Sequence, residues 1–201
     1  MDGTYVDHAY AEHLTDTDLE LLATASGAAG TSGGAAAALR RDPPAISRLL
    51  GHPAAFEAVY GRSAVRAGRP ALVSPFLAFA VAVHRAAAEL ASMTHVVERT
   101  GPRQRVPVLD APMLAGFLES PERRLFLAEL LASFTRAAEG RYQVRTPRGP
   151  RWLRFSEVDP ARFAGLLDAV PERERPGVYR RLGDIALFLA GVFPDHTFGP
   201  A

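Results

Sequence analysis

Five dipeptides in this chain place a residue with helix-capping potential directly before a proline. Proline suits the first turn of a helix, because the N–H that it lacks would have no partner there. An Asp or Ser side chain just before the proline can accept a hydrogen bond from the free N–H groups of that turn. An apolar segment follows each dipeptide; the five are Asp42-Pro43, His52-Pro53, Ser74-Pro75, Ser120-Pro121 and Asp159-Pro160. The sequence therefore predicts a mainly α-helical protein.

The chain has 201 residues, of which 48% are hydrophobic, and this is enough for one well-packed domain. We predict a single-domain helical bundle over residues 35–201. Residues 1–34 are expected to form a loosely attached N-terminal arm with one short helix that starts near Thr17. The arm would end in residues 27–34, because the sequence GAAGTSGG is typical of a flexible linker.

One β-hairpin is predicted at about residues 141–155. Two segments that favour β-structure flank residues 147–150, whose sequence Pro-Arg-Gly-Pro is typical of a turn. Two strands alone are marginally stable in water, so we expect the hairpin to pack against helices.

The composition excludes several classes of chemistry. All 23 basic residues are Arg, so the chain has no lysine for a Schiff base or a phosphate-binding loop. It also has no Cys, which excludes thiol nucleophiles, thiolate metal sites and disulfides. No metal-binding or hydrolase motif occurs, so we expect neither a metal nor a cofactor.

The charge and hydropathy pattern predicts a cytoplasmic protein that does not associate with membranes. The formal net charge is +1, which implies no strong attraction to anionic lipids or nucleic acid. The most apolar segments, residues 75–83 and 185–193, are shorter than the roughly 20 residues that a membrane span needs. The first 20 residues are polar and acidic and lack an apolar h-region, so we expect no secretory signal.

His84 is the leading candidate for a functional residue. It lies in the apolar helix predicted for residues 75–92, on the same stripe as Leu77, Val81 and Ala88. Beside small alanines its imidazole could project into a pocket as an acid, a base or a ligand. The alternative is a histidine at the edge of the core that binds a backbone carbonyl. Arg85 lies on the neighbouring polar face.

The last predicted helix, residues 177–193, supplies the other candidate binding residues: Tyr179, Arg180 and Asp184. Asp184 lies four residues after Arg180 and three after Arg181, so either arginine could pair with it and the same group could hold a polar ligand. The alternative is an exposed ion pair of little energetic weight.

Three functions follow as hypotheses. The first is a non-catalytic protein that binds a small molecule or a protein partner between helices, with polar groups from His84, Arg85, Tyr179, Arg180 and Asp184. The second is a small-molecule enzyme that uses His84 as acid or base, with Arg180 or Asp184 orienting the substrate. Whether the protein is an enzyme therefore stays open. Alanine-rich helix faces would also allow a homodimer.

Nucleic-acid binding through the arginine-rich hairpin is the third hypothesis and the least favoured. Tyr142 and Trp152 are interleaved with five arginines there, which are Arg141, Arg145, Arg148, Arg151 and Arg154. The helix predicted just before the hairpin, residues 121–139, is too apolar to lie in a DNA groove. No basic helix accompanies the hairpin, so we do not expect nucleic acid to be the partner.

Overall fold

The helix starts and the hairpin are visible in a computed structural model that describes residues 3–27, 34–99, 105–108, 110–147 and 149–193. The α-helices are α1 (Gly3–His13), α2 (Asp16–Ala25), α3 (Ala35–Arg41), α4 (Pro43–Leu50), α5 (Pro53–Tyr60), α6 (Arg62–Arg66), α7 (Arg69–Leu72), α8 (Pro75–Leu90), α9 (Ala111–Glu119), α10 (Pro121–Ser133), α11 (Pro160–Ala164) and α12 (Arg175–Val192). The strands are β1 (Val96–Arg99), β2 (Arg105–Val108), β3 (Glu139–Thr146) and β4 (Gly149–Ser156). Short 3₁₀ helices are formed by Phe134–Arg136, Gly165–Asp168 and Glu172–Glu174. The predicted fold class, mainly α with a β-hairpin, is confirmed.

Each proline of the five predicted dipeptides opens a helix, namely α4, α5, α8, α10 and α11. The preceding side chain caps the helix in four of them, as in the 3.1 Å bond from the Leu77 N–H to Ser74 Oγ. Asp42 is the exception, because its side chain lies 3.6 Å from Arg48 and does not cap α4. Local capping chemistry therefore sets most of these helix starts.

Contacts between residues divide the chain into two compact units. In the described part of the chain, the first unit holds residues 3–27, 34–99, 105–108 and 110–132, and the second holds residues 133–147 and 149–193. This division differs from the predicted boundary at residue 34, because residues 3–27 belong to the first unit.

The structure corrects the prediction of a loosely attached N-terminal arm. α1 packs against α4, and α2 against α3 and α5. Val6 and Tyr10 lie four residues apart on one face of α1, and Leu14 follows at the same spacing just after the helix. All three are buried in the core. Residues 28–33 of the predicted linker lie outside the described residues.

The core of the first unit surrounds α8. Leu77, Ala80 and Val81 of this helix are fully buried among side chains of α1, α2, α4, α5 and α10. Asp18 of α2 is the charged residue buried in this region. It accepts hydrogen bonds from the Thr15 N–H and hydroxyl at 3.0 and 2.7 Å and from the Ser74 N–H at 3.1 Å. One carboxylate thus joins the N-terminal ends of α2 and α8.

The structure also differs from the sequence analysis in local detail. Residues 62–73 contain the short helices α6 and α7, and neither these helices nor the hairpin β1–β2 was predicted. The helix expected over residues 121–139 ends at Ser133, where a 3₁₀ turn leads into β3.

The second unit is built on the β3–β4 hairpin, which is paired from Glu139↔Ser156 to Thr146↔Gly149. α11 packs against β4, and the Phe155 and Phe163 rings meet edge to face with centroids 6.1 Å apart. α12 packs against α11. As expected from the sequence, the hairpin packs against a helix.

In the described residues, no helix combines the length and hydropathy needed to cross a membrane.

Candidate functional site

His84 lies on the buried face of α8, with 9% of its surface exposed. Its Nε2 atom is 3.2 Å from the hydroxyl of Tyr10, which α1 buries in the core, and the two rings are tilted with centroids 5.7 Å apart. The partner of the imidazole is therefore a tyrosine from the N-terminal helix, and not the backbone carbonyl considered from the sequence.

A cavity of about 530 Å³ opens beside His84 within the first unit. α8 and α9 supply most of its walls, which are largely apolar; these side chains include Ala87, Ala88, Leu90, Pro112, Ala115 and Leu118. Gly51 and the polar side chains of His84, Glu119 and Arg124 also line it. The arrangement is an apolar cavity with a few polar groups, which is typical of sites for small molecules.

Burial and the positive charge of Arg124 lower the pKa of His84 to about 4. The imidazole is therefore neutral at physiological pH. Burial also raises the pKa of Tyr10, so its hydroxyl keeps its proton. The bond between Tyr10 and His84 joins two neutral groups.

The second ring nitrogen of His84, Nδ1, has no hydrogen-bond partner among the described residues. It lies next to Gly51, where a Cβ atom would be 3.6 Å from it. The absence of a side chain at Gly51 thus leaves space beside Nδ1 in the wall of the cavity.

Arg124 brings a positive charge to the same cavity. Its Nη1 atom donates hydrogen bonds to the carbonyls of Leu118 and Glu119, at 2.5 and 3.0 Å, at the C-terminal end of α9. Its Nε atom is buried and has no hydrogen-bond partner among the described residues. No carboxylate of the described residues lies within 4.0 Å of this guanidinium.

Of the five candidate residues predicted from the sequence, His84 is the one that lines this cavity. Arg85 lies on the exposed face of α8, where its Nε is 2.6 Å from Glu89 Oε1. Tyr179 and Arg180 are exposed on α12, and Asp184 is half-buried on the same helix. These four residues are not among those that line the cavity.

Arg181 pairs with Glu157 and not with Asp184. Its Nε and Nη2 atoms lie 2.8 and 3.0 Å from the two carboxylate oxygens, and its guanidinium lies 4.1 Å from the centroid of the Phe134 ring. This ion pair is largely buried, and it ties α12 to the end of β4 within the second unit.

Sequence reasoning missed Tyr10, Arg124 and Gly51 as parts of the site. The sequence signal for Tyr10 is its spacing of four residues from Val6 and from Leu14, which is weak because polar residues lie between them. Arg124 follows Arg123 directly, and nothing in the local sequence tells which of the two points into the unit.

The lowered pKa of His84 limits what this side chain can do in proton transfer. A group that exchanges protons in catalysis works best when its pKa is near the working pH, and that of His84 is well below it. In the described ranges, no three His, Asp or Glu side chains are grouped to hold a metal ion.

No family model, curated protein or solved structure matches this chain.

Proposed function

We propose that the first unit binds a small organic acid with a largely apolar body in the cavity beside His84, without catalysing a reaction on it. The observation that carries this proposal is the guanidinium of Arg124, which lacks an ion-pair partner in the described residues and lines a largely apolar cavity. A carboxylate of the ligand would supply the missing negative charge.

The size and walls of the cavity support a ligand of moderate size. Pockets for small molecules commonly enclose about 300–1,000 Å³ and bury most of the ligand against apolar side chains. The His84 cavity has about 530 Å³ and alanines along one side. Burying the ligand there would contribute roughly 25 cal/mol for each Å² of apolar surface removed from water.

His84 would help to orient the acid. In this proposal the Tyr10 hydroxyl donates to Nε2, which places the imidazole proton on Nδ1 and makes Nδ1 a donor toward the cavity. The ligand oxygen would then accept from both His84 and Arg124. Glu119 also lines the cavity, but its side chain is exposed, so water and salt screen its charge.

The enzyme hypothesis has less support. The pKa of about 4 makes His84 a poor acid or base near neutral pH, and Arg180 and Asp184 do not line its cavity. The protein partner, the homodimer and the cytoplasmic location stay predictions from the sequence.

Calorimetric titration with decanoate and with decylammonium tests the proposal, since the two probes share an apolar tail and carry opposite charges. We expect decanoate to bind at least about tenfold more tightly, which corresponds to about 1.4 kcal/mol. 8-Anilinonaphthalene-1-sulfonate serves as a second acid with a different apolar shape, followed by its own fluorescence.

Two matched variants locate the binding. Ala88→Leu places a larger side chain in the wall of the cavity, so we expect it to weaken decanoate binding about tenfold. Ala38→Leu makes the same exchange at an exposed position of α3 that does not line the cavity, and it should leave binding unchanged. The proposal fails if neither acid binds, or if both variants bind decanoate alike.

A further inference from the structure

A second concentration of positive charge lies on the β3–β4 hairpin of the second unit, on residues that do not line the His84 cavity. Arg141 and Arg154 are directly opposite each other in the strand pairing, so their side chains lie on one face of the hairpin. Like charges in directly opposed positions destabilise a strand pair. In the described residues, neither arginine forms an ion pair with a carboxylate within 4.0 Å.

These two arginines line a cavity of about 310 Å³ together with Arg162 of α11. Arg162 is already paired, since its Nε lies 3.1 Å from Asp159 Oδ2. Glu139 is the acidic residue among those that line this cavity, so beside the paired Arg162 the cavity has two further arginines and one glutamate. An anion bound here would offset the repulsion between Arg141 and Arg154 and could accept paired hydrogen bonds from a guanidinium.

An aromatic cavity of about 570 Å³ adjoins the first, because Arg154 and Arg162 line both. Trp152 and Tyr142 line this second cavity. The Trp152 side chain is one of the most exposed large apolar groups of the protein, at 64%. Tyr142 is held in place, because its hydroxyl packs so closely on Gly165 that a Cβ atom there would overlap it.

The spacing of these groups suits one ligand that has both an aromatic ring and an anionic group. Trp152 and Arg154 are two residues apart on β4, so they share a face and are separated by about 7 Å along the strand. A nucleotide presents its base and its phosphate over a comparable distance. Exposed aromatic rings bind bases of any sequence by stacking, and adjacent arginines bind the phosphates.

We propose that the hairpin of the second unit binds a nucleotide, with the base stacked on Trp152 and the phosphate between Arg141 and Arg154. The nucleotide would be either a free mononucleotide or one unit of a single strand, which present the same chemistry. The apolar character of α10 argues against a helix in a DNA groove, but stacking on an exposed ring needs no such helix. This site is independent of the cavity beside His84.

Trp152 is the only tryptophan of the chain, so intrinsic tryptophan fluorescence reports directly on this site. We expect AMP to quench the emission of the full-length protein in a saturable manner at low salt, and adenosine, which lacks the phosphate, to bind at least about tenfold more weakly. Free N-acetyltryptophanamide corrects for light absorbed by the nucleotide. A short oligo-dT strand distinguishes the two sources: tighter binding with a steep salt dependence indicates a single strand, and binding no tighter than that of AMP indicates a mononucleotide.

Two variants on the same strand make the test specific. Arg154→Gln should weaken AMP binding about tenfold, because a charge-assisted hydrogen bond is lost. Arg151→Gln makes the same exchange at an exposed residue that lines neither cavity, and it should leave binding within about twofold of the wild type. Arg141→Gln provides a second test of the phosphate position, and circular dichroism checks that each variant is folded. The proposal is wrong if neither AMP nor oligo-dT quenches Trp152, or if Arg154→Gln and Arg151→Gln behave alike.

Discussion

The buried imidazole of His84 should make the stability of the first unit depend on pH, and His84→Gln should remove that dependence. The pKa of His84 is about 4 in the folded protein, because burial and Arg124 disfavour its charged form. In the unfolded chain it is about 6.5. Between about pH 4 and pH 6.5, His84 is therefore protonated in the unfolded chain and unprotonated in the folded protein. The free energy of unfolding therefore has its full value, as far as His84 is concerned, above about pH 6.5, and it decreases as the pH falls toward about 4.

The size of the effect follows from the two pKa values. Each pH unit between them costs at most about 1.4 kcal/mol of unfolding free energy. From about pH 7 to about pH 5 the loss amounts to about 2 kcal/mol. Stopping at about pH 5 keeps most Asp and Glu residues ionised in both states, so His84 dominates the change.

Urea unfolding followed by far-ultraviolet circular dichroism measures this loss at several pH values. We expect the wild type to lose about 2 kcal/mol more than His84→Gln over the interval. Gln is suitable because its side chain can still accept a hydrogen bond from Tyr10. The matched control is His95→Gln at an exposed position, which should keep the pH dependence of the wild type. Equal pH dependence in the wild type and His84→Gln would refute the assignment of a neutral, buried imidazole.

Three further substitutions test other contacts by the same unfolding measurement. Arg181→Gln removes the ion pair with Glu157. Because the side chains of Arg181 and Glu157 are only 20% and 13% exposed, the substitution should lower the free energy of unfolding by about 2–3 kcal/mol. Asp18→Ala removes the buried acceptor that joins the N-terminal ends of α2 and α8, and we expect a loss of about 2–4 kcal/mol. Gly165→Ala should cost about 1–3 kcal/mol, because the new methyl group overlaps the Tyr142 hydroxyl. Adding Tyr142→Phe removes that overlap and should restore most of the loss.

Each of these substitutions has a control of the same kind. Arg162→Gln breaks an exposed ion pair and should change stability by less than about 0.5 kcal/mol. Asp16→Ala alters an exposed aspartate of α2, and Gly177→Ala adds a methyl group in open space. If a control and its test variant lose equal stability, the contact named for that test variant does not hold.

The helix starts could be predicted because their chemistry is local. The proline at the start of α8 and the Ser74 hydroxyl that caps it are neighbours in sequence, and the same holds for Asp159 and α11. The β3–β4 hairpin was equally predictable, since a Pro-Arg-Gly-Pro turn between two β-forming segments is a local signal. Arg148 of that turn lies outside the described residues.

The candidate site could be predicted only in part. His84 was identified because its position on an apolar helix is a local feature. Its partners Tyr10 and Arg124 come from helices far away in sequence, and spacing along one helix carries no information about such contacts. The burial of α1 was missed for the same reason, because a short helix with mixed polarity reveals its inner face only when the partner helices are known.

The position of α1 in the core also sets the order in which the first unit can assemble during synthesis. Asp7 binds Ser47, which lies 40 residues later in the chain. Tyr10 and His84 are separated by 74 residues, and His13 and Glu129 by 116. Because α1 leaves the ribosome before these partners, it gains them in stages and completes its burial after α10 has emerged. Such long-range closure is slow, so the apolar face of α1 needs protection from other chains until the rest of the unit has been made.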